Sequence, residues 1–400
     1  MRSLRFHKYL PLACIVFFIN SLVFFPRGLL ITTILSPGFY IWLLLRRQRY
    51  VLETFFAAMF PFAFASLVTG MQKLYFLTSF GLLITCYVTV YAFAVAIQET
   101  DHLDDVFRTL IWLNLAFAFV GLLLRFTSLA PIVWQMPGDV DNPANMMRFK
   151  GLTYEPSHYG TLLAPLVLYS CWLHIQKRTY RTLGLLAATV GPLLMSLSFG
   201  AIGLVILSVF VVQFKRYRTE ARFRWVFVAT TVLVLGYLAL PSTSGVKLRI
   251  NNLFTGNDPS ANVRTSMAFE SAYAMAKSKD IWFGIGFGQQ KVIGSYFLAP
   301  NQRVIPSAVA GTLEEMGLVG VALRFGVIFY FFFKTRPDRD PYRLSMFIWV
   351  FLFQFGASYK DNLAEYMVWI FAFSPSVGFF SAKQPEPAEG EPSYAVPQLT

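Results

Sequence analysis

FLTSFGLLITCYVTVYAFAVAI, residues 76–97, runs for twenty-two residues without a charge. About twenty apolar residues cross the roughly 30 Å hydrocarbon core of a bilayer. The stretch reads as a transmembrane helix, and its neighbours repeat the pattern. Working outward, apolar runs recur at 10–25, 28–45, 51–70, 106–124, 159–174, 182–197, 201–214, 225–240, 309–333, 344–357 and 366–380. The count predicts an all-α polytopic membrane protein with about twelve transmembrane helices. The pair 182–197 and 201–214 is parted only by Ser198, Phe199 and Gly200, and reads either as two spans or as a re-entrant hairpin.

The composition agrees. Of 400 residues, 56% are hydrophobic and 14% charged, where a soluble domain carries about a quarter charged. Mean hydropathy is +0.53. A net charge of +13 would suggest nucleic acid for a soluble protein. Here the cations sit mostly in short loops between apolar runs, so no nucleic acid is expected. Cys14, Cys86 and Cys171 lie inside apolar runs and form neither a disulfide framework nor a metal site. The first run follows Arg2, Arg5 and Lys8 as a signal peptide would. Phe24, Phe25, Pro26 and Arg27 then stand where a small-residue cleavage site belongs, so the run reads as a retained helix.

Alternate loops are basic: RRQR (46–49), QKRTYR (176–181), KRYRTEARFR (215–224) and KTRPDRDPYR (334–343). With the N-terminus, Arg108 and Lys383 they hold 20 of the 34 Lys and Arg. The positive-inside rule makes that side cytoplasmic, both termini included. The expected location is a membrane, crossed many times. Residues 1–380 form one polytopic domain, and the Pro- and Glu-rich tail 381–400 reads as disordered. Two long loops, about 126–158 and 241–308, lie on the other side. No cytoplasmic loop exceeds about a dozen residues, and no phosphate loop is present. A nucleotide-binding domain does not fit. An enzyme of this layout takes lipid-linked substrates at an outward-facing site, and no cofactor or metal is called for.

The charged stretch RFKGLTYEPSHYG, 148–160, stands at the mouth of the run 159–174. Ionisable groups near the bilayer are costly unless they face a cavity or a partner. Arg148 and Lys150 suit a diphosphate, and Glu155 or His158 suits proton handling. The plainer reading is a helix entrance with snorkelling cations. The second loop carries Lys247, Arg249, Arg264, Lys277, Lys279, Lys291 and Arg303. Positive charge outside runs against the topology rule, which makes Arg264 and Arg303 candidate contacts for an anionic ligand. The plainer alternative is a solvated loop balanced by Asp258, Glu270 and Asp280. An amphipathic helix is expected at 262–279, with Val263, Met267 and Ala274 on one face. Gly284, Gly286 and Gly288 have the wrong spacing for a dinucleotide fingerprint, and point to a tight turn or close helix packing. Glu314 and Glu315 open the run 309–333, where one can face the cavity and where a helix N-terminus also favours them. Asp139 and Asp141 are weak evidence for a cation, and Asp338 with Asp340 reads as loop.

These residues resemble a family. R-x-x-G-x-x-x-E-P, here Arg148, Gly151, Glu155 and Pro156, is similar to the motif before a central helix in bacterial O-antigen and exopolysaccharide polymerases (Wzy). G-I-G-F-G at 284–288 and E-x-G-L-V-G at 315–320 resemble segments of that family and of the related O-antigen ligases, as does the small-residue junction at Ser198, Phe199 and Gly200. The resemblance covers roughly 145–335. It implies a metal-independent membrane glycosyltransferase of the GT-C type. Such an enzyme transfers a growing glycan from undecaprenyl diphosphate to a new lipid-linked repeat unit, on the outer face of the membrane. It further implies a flippase and a chain-length regulator of the same pathway as partners. By position, Arg148 and Arg264 match the arginines of the family's two large loops. Ligases carry a His-Asn pair before the E-x-G-L-x-G segment. Val304, Ile305, Pro306 and Ser307 stand here instead, and no histidine follows His174, which favours a polymerase over a ligase. Glu155 is the first choice of general base, with Glu315 and His158 behind it. A transporter or flippase for lipid-linked oligosaccharides is the rival from another class. It calls for internal symmetry and mid-helix charges, and the sequence is read as having neither.

Overall fold

A computed structural model describes residues 8–19, 31–68, 72–100, 102–136, 147–217, 245–256, 259–290, 292, 305–356 and 363–380. The molecule is mostly helical. In chain order the described helices are α1 (Leu10–Cys14, continued by a π-helical turn, Ile15–Ile19), α2 (Ile31–Leu45), α3 (Val51–Val68), α4 (Lys73–Gln98), α5 (Leu103–Leu124) and the short α6 (Ala130–Val133). A two-residue ladder follows, with β1 (Trp134–Gln135) antiparallel to β2 (Arg148–Phe149). Then come α7 (Pro156–Lys177), α8 (Tyr180–Met195), α9 (Phe199–Tyr217), α10 (Gly245–Phe254), α11 (Pro259–Arg264), α12 (Ser266–Lys279), α13 (Ala308–Thr335), α14 (Pro341–Gly356) and α15 (Leu363–Phe373).

Three of these, α4, α5 and α13, are long and apolar enough to cross a membrane. The shorter α2, α9 and α15 are apolar as well. The outer surface of the bundle is apolar, with Phe60, Phe119, Leu123 and Phe333 all exposed. Such a surface suits lipid, because a soluble protein rarely exposes a large contiguous apolar patch. The expected span at 225–240 lies outside the described residues, as does the tail 381–400.

α7 is the centre of the bundle. Pro156 supplies a first-turn φ that suits a helix start. Every residue from Pro156 to Ser170 is buried, as a helix apolar on all sides requires. Trp172 donates from its indole to Ser345 Oγ of α14 at 2.9 Å. Arg178, in the left-handed region, ends the helix, and Thr179 opens α8 with a capping box to Thr182. The stretch 182–214 thus holds two helices joined by a tight turn at Leu197, φ 48°. Close packing fixes that turn on α7: a Cβ at Gly160 would stand 3.0 Å from Ala201 Cβ and 3.2 Å from Ser198 Cβ.

The described parts of the basic loops gather at one end of the bundle. Arg343 donates to the carbonyls of Thr335, Ala372 and Phe373, which fastens α13, α14 and α15 together there. Asp340 accepts from the amides of Arg343 and Phe380, and Arg336 pairs with Asp338. The Asp338–Asp340 segment, expected as loop, is thus a short 3-10 turn with Asp340 buried.

Three expectations change. The run 309–333 is not one straight helix. A straight helix would keep Ser307 and Arg324 about 25 Å apart. Both reach Gln354 of α14: the Ser307 hydroxyl donates to its backbone carbonyl at 3.1 Å, and Arg324 Nε to its side-chain oxygen at 2.6 Å. α13 therefore folds back at Gly317, whose φ of 63° and ψ of −163° break the helix. Gly320 lies where the two arms, 308–316 and 318–335, cross. A Cβ there would sit 3.3 Å from Thr312 Cγ2, eight residues earlier. The expected helix at 262–279 is likewise two pieces, broken at Thr265, and its buried face is Ala268, Ala272, Met275 and Ala276, with Met267 exposed. Finally, the spans are not free of charge: Arg324 and Glu365 form an ion pair inside the bundle.

Candidate functional site

Arg148, Lys150, Glu155 and His158 come together at the end of the bundle opposite the basic loops. The ladder fixes the first of them, pairing Arg148 with Gln135 and Phe149 with Trp134. Phe149 fills the space beside Gly121 of α5, where a Cβ would stand 2.3 Å from its ring, and meets Tyr159 edge-on at 5.2 Å. Trp134 donates to the Gly121 carbonyl at 2.8 Å, and Tyr159 to Asn114 Oδ1 at 2.8 Å. Gly151 turns the chain at φ 58°, against the Tyr159 ring. The charged loop is thus clamped between α5 and α7.

Arg148 is half-buried and reaches the α8–α9 turn. Its Nε donates to the Ser196 carbonyl at 3.2 Å and its Nη2 to that of Leu197 at 3.4 Å. These carbonyls stand just past the last turn of α8, a place that favours a cation. Lys150 is half-buried, and burial lowers its pKa below the usual lysine range. Thr153 donates to its carbonyl at 2.7 Å. Glu155 occupies the N-cap position of α7, with extended backbone, and its carboxylate accepts from Ser157 Oγ. His158 is buried against Tyr154, ring centres 4.8 Å apart, and does not stand at the surface. The N-termini of α7 and α9 therefore meet, with Arg148 bonded to the turn before α9 and Lys150 in the loop before α7.

Glu315 belongs to a second group. The break in α13 frees two carbonyls and two amides, and the loop 281–288 takes all four. Ile285 and Gly286 donate to the carbonyls of Glu314 and Glu315 at 2.9 and 3.1 Å. Leu318 and Val319 donate to those of Ile281 and Trp282 at 3.0 and 3.1 Å. Irregular backbone at membrane depth is tolerated when it is satisfied within the protein. The fit leaves no room for side chains: a Cβ on Gly284 would meet the Glu314 carbonyl oxygen at 2.4 Å, and one on Gly317 would meet that of Trp282 at 2.2 Å. Gly284, Gly286 and Gly288 all have positive φ. The loop rests in turn on the end of α3 and the start of α4, with Phe287 donating to Ser66 and Gln72 to Gln289. Glu314 and Glu315 are both buried.

Arg264 ends α11, half-buried. The next residue, Thr265, lies 3.8 Å from where a Cβ on Gly356 would be, at the end of α14. This places Arg264 beside the end of α14. Arg303, Lys291, Asp139 and Asp141 lie outside the described residues. Among the described residues, no three His, Cys, Asp or Glu side chains are grouped to hold a metal ion.

Sequence reading missed one cluster. Arg324 pairs with Glu365 at 2.7 Å, and Trp369 donates to the same carboxylate oxygen at 3.2 Å. A lone arginine within an apolar run was the available signal. No protein-family model matches this chain, and no curated protein matches it in sequence.

Proposed function

We propose that the chain is a bacterial inner-membrane glycosyltransferase of the GT-C type. It has about twelve spans and cytoplasmic termini, and it polymerises undecaprenyl-diphosphate-linked repeat units on the outer face. The observation that carries this reading is the meeting of the N-termini of α7 and α9 beside the loop that carries Arg148 and Lys150. Helix N-termini and half-buried cations together favour a phosphate group. In the proposed transfer, the acceptor hydroxyl attacks the donor sugar's anomeric carbon and the bond to the diphosphate breaks. Arg148, Lys150 and Arg264 stabilise the charge building on the leaving diphosphate. Glu155 takes the acceptor hydroxyl's proton. The interlock of 281–286 with Glu314–Val319 adds support, because it makes one unit of the two glycine motifs behind the resemblance.

A strain lacking the chain and complemented with it tests the reading. Surface polysaccharide should return as a ladder of many repeat units, and without the chain lipid-linked single repeats should accumulate. A wild-type ladder in the deletion strain would end the proposal.

One observation favours a second reading. A broken helix with a buried ion pair is a feature of transporters, and α13 has both. Transfer of a lipid-linked oligosaccharide across vesicles by the purified chain, with no change in glycan length, would establish it.

A further inference from the structure

Gln354 is gripped from both arms of the fold-back. Ser307, the N-cap of α13, donates to its backbone carbonyl, and Arg324 in the second arm donates to its side-chain oxygen. The Arg324 fork also holds Glu365 of α15, which the Trp369 indole fixes from the other side. An apolar pair of similar volume would hold α13 to α15 at least as well, since desolvation offsets most of the attraction in a buried ion pair. What an apolar pair lacks is direction. A planar guanidinium sets two partners at a fixed angle, and a lysine does not. The arrangement has a visible cost. Gln354 is fully buried, and with its oxygen turned to Arg324 its Nε2 has no hydrogen-bond partner among the described residues.

We propose that Arg324 is a positioning residue. Through Gln354 and Glu365 it fixes the foot of the fold-back, and so sets where the arm 308–316 carries Glu314 and Glu315. The part of this that concerns transfer rests on the function proposed above; the mechanical part does not. The arm has its own small core, in which Ala310 and Ile305 pack with Ala268, Ala272, Met275 and Ile285. The arm, α12 and the glycine loop therefore move as one body. With the pin removed, the foot of that body keeps the Ser307 bond to the Gln354 carbonyl, and its other end keeps the Gly317 clasp and the loop's bonds to Ser66 and Gln72.

The test separates position from activity. In a chain with Cys14, Cys86 and Cys171 replaced by Ala, Ala308→Cys places a thiol at a fully buried point of the arm. A water-soluble maleimide should label it slowly. Adding Arg324→Met with Glu365→Leu removes both charges, so no lone ion is left buried. Labelling should then speed up by about tenfold or more, as local opening becomes cheaper. Turnover on a lipid-diphosphate-linked repeat unit should fall on the order of 100-fold with KM unchanged, the effect expected of a small misplacement. Arg324→Lys should recover part of that turnover. If the double variant does not accumulate, Gln354→Leu removes the Arg324 contact while keeping the ion pair and the Ser307 bond to the backbone carbonyl, and the same labelling change is expected. Labelling as slow as in the parent, in whichever variant folds, overturns the proposal. Fast labelling alongside a wild-type chain that extends no glycan would keep the positioning role and end the polymerase reading instead.

Discussion

Arg148 answers to two demands. Its bonds to Ser196 and Leu197 satisfy carbonyls at the end of α8, and the proposed chemistry asks its charge to meet a diphosphate. Arg148→Ala removes both at once, with each hydrogen bond worth about 1 kcal/mol of stability. Arg148→Lys keeps the charge and loses the fork. Polymer is expected to vanish in the first and persist partly in the second, at equal protein levels on immunoblots. A full ladder from both Arg148→Ala and Arg264→Ala would remove the arginines from the site. Glu155→Gln keeps the shape of the N-cap and loses basicity, so single repeats should accumulate. An unchanged ladder would move the base to Glu315 or to the buried His158. Lys150 gives a pH test. Burial lowers its pKa, so its charge is lost as pH rises through a value below the usual lysine range. Donor affinity should weaken on that alkaline side, and Lys150→Arg, always charged, should abolish the limb. KM measured against pH in both chains decides this, and identical profiles would count against a Lys150 contact.

At the scale of elements, the break in α13 depends on two glycines that interlock. Gly317 needs a left-handed φ, and a Cβ there would meet the Trp282 carbonyl. Gly284 faces the same problem against Glu314. Either Gly→Ala change carries about 1–3 kcal/mol of backbone strain before the clash is added. Gly311→Ala, at an open position of the same arm, serves as the control. Melting of the detergent-purified protein should drop for the first two and hold for the third. Equal melting for all three would mean the clasp is not tight. The helices themselves were legible, because a run of apolar residues is written contiguously. So was the Arg148–His158 group, which lies within eleven residues. The fold-back was not. Residues 309–333 read as one span because hydropathy counts a hinge glycine like any other apolar position. Nor was the Arg324–Gln354–Glu365 cluster, whose members are 30 and 11 residues apart on three helices, with no spacing rule to join them.

The whole molecule has two unlike ends. At one, Arg343, Asp340 and Arg336 are tied down in local bonds that close the bundle. At the other, two clasped segments present the candidate acids and cations. Charge bias orients membrane helices during insertion, and the proposed topology puts the basic end in the cytoplasm. Reporter fusions after Arg49, Arg181, Arg224 and Arg343 should report cytoplasm, and fusions near Asn145 and Asn257 should report the outer side. The two outer fusions carry most of the weight. The segment containing Asn145 leads into Arg148, and the one containing Asn257 leads into α11 and Arg264. Both must lie on the face where lipid-linked repeat units are joined if these arginines meet one diphosphate. If Asn257 reports cytoplasm while Asn145 reports outside, Arg264 and Arg148 lie across the membrane from each other. No single transfer site could then use both, and the transporter reading would take precedence.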